Sequence, residues 1–393
     1  MIPTHLCLLS VALLFVSASA GCSALDTPAG AQARTPQFER VYIGTYTGPK
    51  GKGVYLAQLD LATGKLSEPQ LAGETENPSW ITLTRDGRFL YAANESGATF
   101  KDGAVSAFSV GVDGMLLALN QQPPGGKGPC HVTVDDSGKN VLVANYGSGA
   151  VALLPAGDDG KLAPPASVHQ HEGAVADAKR QGGPHAHCIE LDQTGRFALS
   201  CDLGLDKVFV YKLDGDKHQL VPNDPPFGVL SPRSGPRHLA FHPGGRFVYV
   251  INEISLTVTA FSWDVQRGAL AEIQTISTLP KDAAPGDGST AEIAVHPSGK
   301  FLYGSNRGDD SLAVFTIDER TGRLTAAGHT PTGGKTPRGF GIDPTGAFLI
   351  AGNQGSDSLV VFRIDPKTGA LTPTGNTATV GAPVCVKFVQ LGR

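Results

Sequence analysis

The chain has 393 residues, with 50 Gly, 28 Pro, only 17% charged residues and a formal net charge of -4. Without a basic run or patch, it lacks the electrostatic footprint that nucleic-acid binding requires. Abundant Gly and Pro suit many short strands joined by tight turns better than they suit helices.

In chain order, Leu6 to Ala20 comes first, an apolar stretch that ends in small residues. It is too short to cross a bilayer and remain there, so it reads as an export signal. Ser19 to Cys22 resembles a bacterial lipoprotein cleavage box, although Ser19 stands where Leu is usual. Cys22 is the expected lipidated residue and would give membrane attachment. Residues 1–22 are therefore read as signal, 23–37 as an Ala/Thr/Pro-rich linker, and 38–391 as the folded domain. The expected location is the periplasm or its membrane surface. Cys7 and Cys22 fall in the signal, which leaves Cys130, Cys188, Cys201 and Cys385. Cys188 and Cys201 lie on consecutive strands and could approach each other. Their spacing matches no disulfide framework, and buried free thiols are expected.

From Arg85 onward a motif centred on Gly-Arg/Lys-Phe recurs. It reads RDGRFLYAAN at Arg85, DDSGKNVLVAN at Asp135, DQTGRFALSCD at Asp192, HPGGRFVYVIN at His242, HPSGKFLYGSN at His296 and DPTGAFLIAGN at Asp343. Its glycines are 47 to 57 residues apart. A unit this short cannot bury a core alone, so the period predicts a repeat architecture. Each repeat holds a segment opening with Pro or a small residue, the strand after the motif, an outer strand ending in a Gly turn, and a fourth strand beyond it. Four short antiparallel strands make a propeller blade. Every piece occurs seven times once VYIGTYTG from Val41 and APVCVKFV from Ala382 are counted. The prediction is an all-β, seven-bladed propeller whose ring is closed by the N- and C-terminal strands in one blade. A ring closed within one chain is expected to be a monomer.

This meander puts the start of each innermost strand and the end of each second strand on one face, around the channel mouth. The motif glycines fall on the opposite face, where His242 and His296 are discounted as turn residues. Rigid scaffolds carry their chemistry on loops at one end. The mouth positions include Cys130, His131, His185, His187, Arg237, His238, Glu292 and Arg338 from strand starts. Strand ends supply Asn94, Glu95, Asn145, Tyr146, Asp202, Asn252, Glu253, Asn306, Arg307, Asn353 and Gln354, with Thr45 and Tyr46 in the first blade. The Asn recurs in five blades and reads first as a turn former. What differs between blades is the better functional signal: His185, His187, Arg237, Glu253, Glu292, Arg307 and Arg338.

Between the third and fourth blades runs HQHEGAVADAKRQGGPHAH, with four His from His169 to His187. No acidic partner at metal-ligand spacing accompanies them. Acid-base or anion-binding roles are expected, with no metal and no cofactor.

At RQGGPHAH (Arg180), GPRHLAFHPGGRFVYVINE (Gly235), STAEIAVHPSGKFLYGSNRGDDSLAVF (Ser289), PRGFGIDPTGAFLIAGNQGSDSLVVF (Pro337), GTYT (Gly44) and ANYGSG (Ala144) the chain resembles the lactonase family of seven-bladed propellers. That family includes the propeller 6-phosphogluconolactonases and the carboxy-cis,cis-muconate cyclases. The resemblance implies a small-molecule lactone as substrate. Carried over by motif, it implies chemistry at Arg237, Glu253, Arg307 and either His185 or His187. Substrate contacts are expected from His131, Asn145, Arg180, His238, Glu292, Asn306, Arg338, Asn353 and Gln354.

Opening a lactone needs an activated water, a stabilised oxyanion and a proton for the alkoxide. His187 or Glu253 is the expected base, and Arg237, Arg307 and Arg338 are the expected anion binders. No Gly-x-Ser-x-Gly elbow supports a serine mechanism. The 6-phosphogluconolactone pathway is cytosolic while this chain reads as exported, so another sugar or aromatic-derived lactone is an open alternative. Two other functions remain open: a lactonising cyclase, and a propeller that binds without turnover.

Overall fold

Pro or a small residue opens each innermost strand, alternation carries it to the corner turn, and the second strand returns. In the computed structural model, which describes residues 38–98, 100–281 and 288–389, this pattern forms seven four-stranded antiparallel sheets. The lipidation and signal assignments at residues 1–22 and the linker at 23–37 lie outside the described residues. In the first blade, Pro383–Phe388 is the innermost strand and pairs with Phe38–Thr45, so the two ends of the domain close the ring as expected. Cys130, Cys188, Cys201 and Cys385 are buried free thiols.

Hydrophobic side chains on both faces of each sheet bury against the neighbouring blades. The recurring Phe-x-Tyr after the motif glycine has a specific task in that contact. Phe247 packs under the turn glycine Gly322 of the next blade, and the Tyr249 hydroxyl donates to the Gly322 carbonyl at 3.1 Å. Tyr91 meets Gly160 and Tyr303 meets Gly369 in the same way, at 3.2 and 2.8 Å. On the corner face His242 Nε2 bonds the Gly299 carbonyl at 3.0 Å, and His296 Nε2 bonds the Gly346 carbonyl at 2.8 Å. These two histidines tie successive blades together.

A Cβ on Gly322 would lie 2.4 Å from Phe247 Cδ1, at a φ of +72°. Gly322→Ala is expected to cost about 2–4 kcal/mol, from overpacking plus left-handed strain. Gly375 has φ +80° but open space around it, so Gly375→Ala should show only the strain, about 1 kcal/mol. Chemical denaturation of the two variants measures the difference.

Blade four departs from the pattern. Its innermost strand is reduced to Glu190–Leu191, preceded by an isolated bridge between Ala186 and Asp202. The chain there bears His185 and His187.

Candidate active site

Innermost strands do not begin as regular ladders. The pairing register slips between Pro236 and His238, between Pro337 and Gly339, and between Pro129 and His131. Each bulge leaves one residue outside the ladder: Arg237, Arg338 and Cys130. A bulge re-aims a side chain, and here it turns two guanidinium groups toward the mouth.

Glu253 is the hub on one side. Its Oε2 receives Arg307 Nη2 at 2.8 Å and Arg237 Nε at 3.1 Å, and its Oε1 lies 3.5 Å from Arg180 Nη2. Burial works to raise its pKa, but Arg237, Arg307 and Arg338 outweigh that and hold it below the usual range. Arg237 is 2% exposed and also donates to the Ala291 carbonyl at 2.6 Å. Burial, then Arg338 and Arg307, brings its pKa down to about 10, which leaves it a cation at neutral pH. Arg307 donates to the Thr290 carbonyl at 2.7 Å, while its buried Nε has no protein partner among the described residues.

Across the mouth, the Tyr46 hydroxyl lies 2.9 Å from both Glu95 oxygens. Arg338 sits over the Tyr46 ring at 5.3 Å and reaches Glu95 at 3.6 Å. Four guanidinium groups thus face two carboxylates, Glu95 and Glu253. The surplus is positive, so the site favours a group that is or becomes anionic.

His187 is buried beside this cluster, edge-on to Tyr146 and with Nδ1 3.7 Å from the Cys130 sulfur. Burial, then Arg237, Arg338 and Arg307, holds it well below 6.5 and therefore neutral. His185 stacks on Tyr146, and its Nδ1 lies 2.9 Å from the Tyr146 carbonyl oxygen. A carbonyl oxygen only accepts, so Nδ1 is the donor in that bond.

His131, His238 and Glu292, expected among the substrate contacts, are instead buried below the mouth in the channel. They line a chamber of about 260 Å³ with Trp80, Glu190 and Lys387, whose other walls include the corner residues Pro297 and Pro344. The bulge accounts for this: it sends Arg237 up and leaves the next residue, His238, pointing down.

Asn145, Asn306 and Asn353 are also not brought to the mouth. Each is fully buried, and its amide donates to a backbone carbonyl just past the outermost strand of the preceding blade: Pro124, Thr278 and Thr332 respectively. Gln354 sits half-buried in a short 3-10 turn on the mouth face. His169 bonds the Leu220 carbonyl at 2.7 Å and His171 bonds Asp202 at 2.7 Å, so the four histidines do not gather. Residues that pattern did not single out are Tyr46 and Glu95, at expected mouth positions, and Trp80, Glu190 and Lys387 in the chamber.

The seven-bladed ring is the fold of a known family. The model "Lactonase, 7-bladed beta-propeller" matches residues 40–388, and the chain belongs to that family. It is 38% identical to the 6-phosphogluconolactonase of Bacillus subtilis over 351 residues, 89% of this chain and 98% of that protein. A structure described as a putative 6-phosphogluconolactonase from Bacteroides fragilis superposes with a TM-score of 0.84 at 36% identity, covering 91% of this chain and all of that one. The periplasmic gluconolactonase of Pseudomonas aeruginosa gives a TM-score of 0.84 at 32% identity, covering 90% of this chain and 99% of that one.

Proposed function

We propose that the protein is a lactone hydrolase of the 6-phosphogluconolactonase type, which opens a sugar lactone by water addition at this mouth. The observation that carries this is the buried His187 beside a mouth where four guanidinium groups face two carboxylates. The lone pair of His187 takes a proton as water attacks the carbonyl carbon. Fixed guanidinium groups then stabilise the oxyanion, typically the largest catalytic contribution. Arg307 and Arg338 retain donor capacity for this, whereas Arg237 is largely committed to Glu253 and Ala291. Glu253 is a poor base because its carboxylate is already held by three arginines. Its role is to align them.

The surplus positive charge favours lactones that carry a phosphate or carboxylate. Export, with attachment through Cys22, is our reading of the N-terminal sequence, and it suits a lactone met outside the inner membrane. The periplasmic gluconolactonase of Pseudomonas aeruginosa supports that reading. The ring needs no second copy to close, which supports a monomer.

Proton release by the protein from Ser23 onward, against 6-phosphogluconolactone, gluconolactone and an aromatic-derived lactone, tests the proposal. Arg307→Ala should lower kcat/KM by about 10²- to 10³-fold. Silence across the panel with the protein folded would sink it and favour a binding propeller or a cyclase. The pH profile is a second check. A histidine held below 6.5 stays unprotonated as pH falls through 6.5, so the acid limb of kcat/KM should lie well below that value. Arg307→Ala removes one of the charges that depress His187. In that variant the residual activity should show its acid limb moved upward, toward 6.5.

A further inference from the structure

Lactone opening produces acid. The water oxygen bonds to the carbonyl carbon and the ring C–O bond breaks. The alkoxide takes one water proton, and the new carboxylic acid ionises. One proton per turnover must reach solvent, and the mouth is a hard route for it. Four guanidinium groups against two carboxylates make a positive rim that repels a leaving proton while the lactone covers it.

Beneath the rim lies a column of titratable groups. The His187 and His238 rings meet edge to face with centroids 5.2 Å apart. His238 Nδ1 lies 3.2 Å from Glu292 Oε2. Glu292 lines the chamber whose walls reach the corner residues of the opposite face. The charges reverse along this column, because the chamber holds Glu190 and Glu292 against Lys387. We propose that His238 and Glu292 conduct the released proton from His187 to the chamber, and from there to solvent at the opposite face. This rests on the hydrolase reading above.

Each step balances. His187 passes its proton to one nitrogen of His238, His238 gives up the proton on its other nitrogen to Glu292 Oε2, and Glu292 releases it to chamber water. The groups facing His238 are Arg237, His187, His131, Lys387 and Glu292. Arg237 Nη1 lies 3.2 and 3.4 Å from the two His238 ring nitrogens. Burial, then Arg237, His187, His131 and Lys387, hold His238 below the usual histidine range, so it is neutral between transfers and free to accept a proton. Glu292 faces His238, Lys387, Arg237 and Glu190, and burial lifts its pKa to about 7, suited to exchange at neutral pH.

The experiment is turnover of Glu292→Gln in dilute buffer, then with rising imidazole as a diffusible proton acceptor, using a lactone that the wild type opens. Folding is checked by thermal midpoint, and His238→Gln serves as the second variant. In dilute buffer kcat should fall roughly tenfold to a hundredfold with KM unchanged. The D2O effect on kcat should rise, and imidazole should restore much of the loss. A purely structural role would not respond to buffer. Wild-type kcat in both variants, or a loss that imidazole leaves untouched, overturns the relay while the hydrolase reading stands. No turnover by the wild type overturns both.

Discussion

Asp202→Ala is expected to destabilise the protein by about 3–5 kcal/mol, because it leaves the buried His171 imidazole and three backbone N–H groups without their hydrogen-bond partner. Asp202 is fully buried at the end of the second strand of blade four. Its Oδ1 accepts the backbone N–H groups of His185, Gly204 and Leu205 at 2.9, 3.0 and 3.0 Å. Its Oδ2 holds His171 Nδ1 at 2.7 Å, in a pocket where the imidazole stacks on Phe209. In other blades a full inner ladder would share this load. Here the regular ladder is Glu190–Leu191, extended by one bridge at Ala186 with backbone bonds from His187 to Cys201 and from Leu203 to His185, so the chain bearing His185 and His187 leans on the Asp202 side chain as well. The loss should therefore appear twice: as a thermal midpoint lower by roughly 4–7 °C, and as a drop in kcat among molecules that remain folded. Asp202→Asn keeps an oxygen for the three backbone donors and should lose markedly less of both. A midpoint for Asp202→Ala within a degree or two of wild type would show that the strand start is held by something else.

The ring was legible in the sequence because propeller blades repeat the same physical solution. The motif glycine, the Phe beneath the next blade's turn and the Tyr that reaches its carbonyl are local chemistry, so they recur and can be counted. Membership of the mouth followed from the meander alone, and it correctly gathered Arg237, Glu253, Arg307 and Arg338. Depth did not follow. One inserted residue per inner strand decides that Arg237 faces the rim and His238 the chamber, and a bulge leaves no pattern in a six-residue strand. The asparagines read first as structural, and so they are in the fold: a position on the right face does not fix which way a side chain turns, and the amides of Asn145, Asn306 and Asn353 satisfy carbonyls that end the preceding blade. Lys387 sits in APVCVKFV, where it interrupts an apolar inner strand. That break in pattern was the available signal for the chamber. Asp202 and His171 pair across a 31-residue separation, and nothing in their local sequence announces the contact.

Glu253→Gln should have the largest effect on catalysis. The substitution keeps the shape and removes the charge that Arg237, Arg307 and Arg180 share. Arg237 is too buried to be solvated in its place, and Arg307 and Arg338 then repel it without relief. A buried cation left unpaired costs about 3–5 kcal/mol, and misaligned oxyanion donors cost about 10²- to 10³-fold in kcat/KM. Stability and rate should therefore fall together. The pH dependence separates this charge effect from a packing defect. Because the folded-state pKa of Glu253 is depressed, its contribution is fully present above the ordinary carboxylate range and is lost as pH falls through the depressed value. Denaturant titrations should accordingly show wild type and Glu253→Gln far apart at pH 7 and converging at strongly acidic pH. A gap that stays constant with pH would mean that the carboxylate serves the fold by its shape, and the alignment of the arginines would then need another cause.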